Sequence, residues 1–425
     1  MKLKNSKKLF KKVIKKIPLA SQTFSKSYLF FDKNHSPLFN TKGKKQYVFD
    51  NDGNKYLDLI NALGSVSIGY SIPEINKKIS NGLQNGITFS LSHPIELEVA
   101  EQISKCVKSA EMVKFGKNGS DVTTAAIRLA RHYTKKNKIA VCGYHGWHDW
   151  YISSTSMNSG IPDYISKDIY KFEYNNLASL KKLFNKNDFA AVIIEPLSIN
   201  LPKNNFLKEI EILCKKNNTL LIFDEICTGF RVSIGGAQKI YNVVPDLTTL
   251  GKGMANGMPI SALVGKRKIM NTAENIFFSS TFGGETLSLI SCLETIKFMQ
   301  KRKTINKNIK FGEKIKDELN KYLIFLGLFE IIEISGHPAW LFLKIKENKK
   351  ISTNLIRSYI FQEMVKNEIL FLGSFNINYS FSEKNILKII NVCKKLFYNI
   401  KLNHNNLSKI TYYKLPESIF KVRAK

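Results

Sequence analysis

One lysine in the stretch PDLTTLGKGMANGMPI is set apart from the others. Lys252 stands between Gly251 and Gly253, directly after the run DLTTL. A solvated lysine needs no such setting. An amine that another molecule must approach closely gains room from flanking glycines. Desolvation depresses a lysine pKa and leaves a nucleophile able to form a Schiff base, and that is the expectation for Lys252. Upstream, Asp224 and Glu225 close the apolar run TLLIFDEI. Charge at the end of a buried strand is costly without a partner. A protonated ring nitrogen would compensate it, and so would a helix cap or a metal ion.

Two further clusters follow apolar runs. After MVKFG come Lys117, Asn118, Gly119, Ser120 and Asp121, and then a helical pattern. Small residues at a helix start expose backbone N–H groups to an anion such as phosphate. Plain capping by Ser120 or Asp121 is the alternative. After KIAVC comes GYHGWHDWY, crowded with flat side chains that suit stacking on a planar ring or ordinary core packing. His145 and His148 stand three apart in a glycine-broken loop, with no third metal ligand in view. In chain order these are an anion cradle, an aromatic platform, a strand-end carboxylate and a glycine-flanked lysine. Pyridoxal 5'-phosphate needs those parts: phosphate on the helix N-terminus, ring stacked, ring nitrogen on Asp224, aldehyde on Lys252.

The elements that must position these residues alternate. IELEVAEQISKCV, DVTTAAIRLARHYTKK, LASLKKLFNK and NFLKEIEILCKKN read as helices; MVKFG, KIAVCGY, FAAVIIEP and TLLIFDEI read as strands. Near-continuous apolar strands between helices predict an α/β fold with a large, mostly parallel sheet buried on both faces. Ligands of such sheets bind beyond the carboxyl ends of the strands. Earlier, QYVFDNDGNKYLDLI predicts a hairpin turning at Asn51–Asn54. The expected division is an N-terminal segment 1–65, a large domain 66–300 and a smaller α/β C-terminal domain 301–425.

Composition narrows the partners. The 425 residues are 44% hydrophobic and 23% charged, with a formal net charge of +31. The lysines are spread along the chain, and no aromatic-interleaved basic motif appears, so nucleic acid is not an expected partner. The one basic block is MKLKNSKKLFKKVIKKIPLA, where Leu9, Phe10, Val13, Ile14 and Ile17 recur at helical spacing. It reads first as a helix packed on the protein body. A helix on an anionic membrane surface and a targeting peptide are the alternatives. No apolar run is long enough to span a bilayer. The six cysteines form no CxxC or zinc spacing and read as reduced thiols of a cytoplasmic protein.

These motifs resemble the class III pyridoxal-phosphate-dependent aminotransferases of fold type I, nearest the glutamate-1-semialdehyde 2,1-aminomutase branch. The stretch LLIFDEICTGFRVSIGGAQKIYNVVPDLTTLGKGMANGMPISALVGKRKIM carries the likeness most strongly. NGSDVTTAAIRLAR, GYHGWHDW, VIIEP and STFGGETLS fall in the right order. The resemblance implies that Lys252 holds the cofactor as a Schiff base and shuttles a proton, and that Asp224 pairs with the ring nitrogen. It implies that Gly119 and Ser120 bind phosphate, that Tyr144 stacks on the ring, and that Asn200, five residues past Glu195, contacts the phenolic oxygen. Thr281 would reach the phosphate of a neighbouring subunit, which implies a homodimer. Expected substrates are a small-molecule amino donor and a carbonyl acceptor. The chain departs from the aminomutase pattern in three places. QTFSKSYLFF lacks the arginine that grips the substrate carboxylate. Gly373 stands near the usual acidic residue, and Glu285–Thr286 replace Asn-Pro after GG. These changes count against glutamate 1-semialdehyde as substrate. The YHGWHDW and GGET motifs resemble relatives in surface-polysaccharide or modified-sugar pathways. A racemase or decarboxylase on the same cofactor, or a non-catalytic binding protein, are further alternatives.

Overall fold

A computed structural model describes residues 2–348 and 351–415. They fall into two compact units, one from residues 2–72 with 306–415 and the other from residues 73–305.

The unit of residues 73–305 is built on a seven-stranded sheet. Its strands are β1 (Met112–Gly116), β2 (Lys138–Cys142), β3 (Ile169–Lys171), β4 (Phe189–Ile194), β5 (Leu220–Glu225), β6 (Leu247–Leu250) and β7 (Ser261–Gly265). Their spatial order is β1-β7-β6-β5-β4-β2-β3. From β6 through β5, β4 and β2 to β3 every pair is parallel. β7 runs antiparallel to both β6 and β1. Two reversals restore the direction, so β1 points the same way as the parallel strands, and only β7 runs against them. The carboxyl ends of β1, β2, β4, β5 and β6 therefore share one edge.

Side-chain alternation explains why this sheet is buried on both faces. Ala191 and Ile193 of β4 pack with Ile222 and the helix Gly119–Thr134, through Val122, Ala126, Leu129 and Ala130. Val192 and Ile194 point the other way, with Leu221, Phe223 and the helix Phe206–Lys216, through Leu207 and Ile210. Each such aliphatic side chain contributes about 1.5–3 kcal/mol on burial. Alanines on the first helix let it lie close to the sheet, which sets its N-terminus firmly at the carboxyl edge.

The other unit joins the N-terminal segment to the C-terminal helices. The strands Tyr47–Asp50 and Lys55–Asp58 pair as the expected hairpin, and Ile369–Leu370 adds alongside in parallel. The helices Thr304–Phe325, Thr353–Lys366 and Glu383–Leu402 give Ile315, Leu319, Ile356, Ile360, Ile386 and Ile389 to its core. The helix Lys4–Val13 packs on this unit rather than standing free. Asp52 accepts the N–H groups of Asn5 (2.6 Å) and Ser6 (2.7 Å), so a carboxylate caps the helix start, and Phe10 meets Tyr28 edge-on. Asn61, Ala62 and Leu63 all hold left-handed φ angles of 48°, 50° and 58°. Asp58, bonded to the N–H groups of Ile60 and Asn61, and Asn378, bonded to the Asn61 side chain, hold that strained turn in place.

Candidate active site

The carboxyl edge of the large sheet gathers the chemistry. Asp224, the penultimate residue of β5, is 4% exposed. Its Oδ2 accepts from His145 Nδ1 at 2.8 Å. Its Oδ1 accepts from the Ile226 N–H (3.2 Å) and from Thr249 Oγ1 (3.3 Å) on the neighbouring β6. A carboxylate has about four acceptor positions, and these bonds use three of them. A further donor, such as a ring N–H, can still be taken. Since a carboxylate only accepts, Nδ1 of His145 carries the proton, and its buried Nε2 has no hydrogen-bond partner.

Lys252 follows β6 on the same edge. Gly251 before it is extended, and Lys252 itself is bent into the left-handed region at φ 40° to open a short 3-10 turn, Lys252–Ala255. The lysine Nζ donates to Cys227 Sγ. The expected depressed amine is not found. Burial works to lower the Lys252 amine, but the contact with Cys227 and the carboxylates Glu195 and Asp224 outweigh it and hold the amine above the usual lysine value. Burial also pushes the Cys227 thiol up, against the pull of Lys252. The reading of Gly251 also changes. A Cβ there would lie 3.2 Å from Ile226 Cδ1, and one on Gly119 would lie 3.1 Å from Ile226 Cγ2. The two glycines let the cradle helix and the lysine turn close on one isoleucine.

Gly119 and Ser120 open the helix Gly119–Thr134, with Asn118 as its cap. The Asp121 carboxylate takes the N–H groups of Asn118 (2.7 Å) and Lys117 (3.2 Å). This capping box fixes the first turn, with the helix N-terminus at the sheet edge. The loop after β2 is tied to that turn. Thr123 Oγ1 donates to the His145 carbonyl (2.8 Å), and the Trp147 N–H donates to Ser120 Oγ (3.3 Å). Gly146 has φ 103°, and a Cβ on it would sit 2.5 Å from Ser120 Oγ. Gly146→Ala is therefore expected to cost about 1–3 kcal/mol in backbone strain and to displace Ser120. Thermal melting and the cofactor content of the purified variant check this; a variant with wild-type melting and content would refute it.

The aromatic cluster divides. Tyr144 is half exposed at the edge, and its N–H donates to Glu195 Oε2 at 3.0 Å. Burial foremost raises its phenol, against the opposing pull of Lys252. Trp150 and Tyr151 are core: Trp150 Nε1 donates to Thr124, Tyr151 donates to the Gly143 carbonyl, and Tyr151 stands edge-on to Tyr144. His148 Nδ1 meets Thr124 Oγ1 at 2.8 Å. Glu195 after β4 is pushed up by burial and then by Asp224, against His145, Tyr144 N–H and Lys252. Asn200 lies exposed in the following turn, where its carbonyl accepts from the Ser198 N–H. Thr281 is exposed, on a segment flanked by the exposed Phe277 and Phe282.

The structure thus brings together Asp224, Lys252, Tyr144, Gly119 and Ser120 on one edge. It adds three residues that the sequence reading did not assign: His145 on Asp224, Cys227 on Lys252, and Glu195 on the Tyr144 N–H. A histidine on an apolar strand end carries no pairing signal of its own. The Asp224 match is made by the parallel pairing of β2, β4 and β5.

Solved structures share this architecture. The FumI protein of Sphingopyxis sp. MTA144, in its PLP internal aldimine form, aligns with TM-score 0.87 at 22% identity over 94% of this chain and 97% of that one. An omega-transaminase from Sphaerobacter thermophilus aligns with TM-score 0.84 at 19% identity, covering 92% and 96%. The fold is that of the fold-type I transferases. The sequence carries the identification further. The aminotransferase class-III family model matches residues 30–325. The 3-aminobutyryl-CoA aminotransferase of Cloacimonas acidaminovorans (strain Evry) is 35% identical over 87% of this chain and 90% of that protein. The glutamate-1-semialdehyde 2,1-aminomutase of Wigglesworthia glossinidia brevipalpis is 36% identical over 94% and 99%. The chain belongs to the class-III aminotransferases, a family of pyridoxal-phosphate enzymes.

Proposed function

We propose that this protein transfers an amino group between a small-molecule donor and an aldehyde or ketone acceptor, using pyridoxal phosphate bound at the carboxyl edge of its large sheet. The observation that carries the reading is the placement of Asp224 and Lys252 at the ends of adjacent strands, with the N-terminus of helix Gly119–Thr134 on the same edge. The residues fit the cofactor. Asp224 keeps an acceptor position for the ring nitrogen, and His145, with its Nε2 unpartnered, orients that carboxylate. Gly119 and Ser120 present helix N–H groups to phosphate. Tyr144 would cover the ring, and Asn200 would meet its phenolic oxygen. The cofactor, when bound, supplies an electron sink for the bond broken at the substrate carbon.

Lys252 would hold the cofactor, and its amine would serve as the group that takes and returns a proton at the substrate carbon. Cys227, Glu195 and Asp224 favour the protonated amine, and a ring nitrogen held by Asp224 would offset part of that pull. Thr281 is assigned to the phosphate of a second copy, in a homodimer. That assignment is supported by its exposure between two exposed phenylalanines. A cytoplasmic location belongs to the same reading, supported by six free cysteines. The motifs GYHGWHDW and GGET support a place in surface-polysaccharide or modified-sugar metabolism.

A second reading, intramolecular transfer by an aminomutase, is favoured by the relative aligned over 94% of this chain. Nitrogen-15 donors offered to the holoenzyme with a panel of carbonyl acceptors separate the two. We expect label to appear in a second molecule. Label confined to a shift within one semialdehyde, with none passed to any 2-oxo acid or sugar ketone, would establish the second reading instead.

A further inference from the structure

Glu285 and Lys117 form an ion pair that no catalytic role accounts for. Lys117 Nζ lies 2.9 Å from Glu285 Oε2, and both side chains are mostly buried, 14% and 12% exposed. An isolated, largely buried pair is a poor stabiliser, because desolvation offsets most of its attraction. Its position therefore matters more than its energy.

Each partner stands just before or at the cap of a helix. Glu285 caps Thr286–Arg302: its Oε1 accepts the Leu287 N–H (2.6 Å), and its Oε2 accepts Ser288 Oγ (2.6 Å) and the Ser288 N–H (3.2 Å). Burial would raise this carboxyl, but Ser288 and Lys117 outweigh it and hold it below the usual glutamate value. Lys117 stands two residues before Gly119, and its own N–H is bound by Asp121. The helix Thr286–Arg302 also reaches the lysine turn, since Ser291 Oγ donates to the Ala255 carbonyl at 2.9 Å. One rigid helix is thus tied at its first turn to the phosphate cradle and, about one turn and a half further on, to the turn that carries Lys252.

We propose that the Lys117–Glu285 pair is a positioning device that fixes the distance between the phosphate cradle and Lys252. The inference rests on the cofactor reading above. A ligand held covalently at one end and by its phosphate at the other tolerates little error in that distance. A ligand without a phosphate does not sense it.

The full-length protein, stripped of cofactor, is titrated by absorbance with pyridoxal 5'-phosphate and, separately, with pyridoxal. Glu285→Gln keeps one acceptor oxygen for the helix cap, exchanges the other for an NH2 and removes the charge. Lys117→Met removes the other partner, and Lys117→Arg restores the pairing. Expected results are an affinity for pyridoxal phosphate weakened about tenfold in Glu285→Gln and in Lys117→Met. The double variant should be no weaker than the worse single, Lys117→Arg should lie near wild type, and pyridoxal binding should be unchanged in all. Equal weakening for both ligands overturns the proposal and leaves a merely structural pair. So does tighter phosphate-ester binding in Glu285→Gln, which would mean that Glu285 restrains a phosphate-binding Lys117. Wild type that binds neither ligand overturns the cofactor reading as well, and is distinguished by that fact.

Discussion

Lys252→Ala is expected to leave a folded protein with no lysine-bound chromophore and with amino transfer reduced by about 10⁴-fold or more, the upper end of what one positioned general base supplies. Two functions reside in this amine, the covalent anchor and the proton shuttle, so no neighbour replaces it. Cys227, in contact with the amine, has its thiol raised by burial, and so has the phenol of Tyr144. Folding should survive. Any L-residue pays for the left-handed φ of 40° at this position, and lysine already does. Borohydride reduction of the holoenzyme followed by peptide mass mapping reads the result directly. The cofactor mass should sit on the Lys252 peptide in wild type and on none in the variant. Cofactor mass on another lysine of the wild type would end the assignment.

The second large effect belongs to Asp224. Asp224→Asn keeps a carbonyl oxygen for the Ile226 N–H and Thr249 Oγ1, so the strand end should hold its shape. What changes is the charge facing the ring nitrogen. We expect kcat to fall by about 10²–10³, the scale of removing one preorganised electrostatic contact at a developing charge. A second signature separates this from a packing defect. Asp224 is one of the charges that hold the Lys252 amine above its usual value. Removing a negative neighbour disfavours the ammonium, so the amine of the variant should titrate at lower pH. The rate at which cofactor-free protein captures pyridoxal phosphate, followed against pH, reports that titration. Its midpoint should move down in Asp224→Asn. An unmoved midpoint with unchanged kcat would remove Asp224 from the site. The amide can also donate toward His145, which then must present an acceptor nitrogen to it, so His145 is expected to change tautomer in this variant.

Much of this was legible in the chain. The continuous apolar runs FAAVII and LLIF, short and set between helical patterns, read as strands covered on both faces, because an exposed face would show polar alternation. NGSDVTTAAIRLAR announces a helix start by its capping residues and a helix body by its small apolar spacing. A strand-end carboxylate and a glycine-flanked lysine are chemically odd enough to be seen without neighbours. The short strands β6 and β7, LTTL and SALVG, carry weaker signals. Small and polar residues dominate them, and their strand form is set by pairing with β5 and β1, which no local pattern encodes.

Sequence by itself determined which residues could do chemistry, because residue type and local spacing are written in the chain. Only the tertiary structure decided the company they keep. Register between parallel strands puts Asp224 beside Thr249 and brings His145 to its other oxygen. The fold turns an amine expected to be depressed into one held up by Cys227 and by carboxylates from two other strand ends. The glycine before it proves to serve an isoleucine as well as any ligand. A pKa and a close contact depend on distances between residues far apart in the chain, and those distances exist only once the sheet has formed.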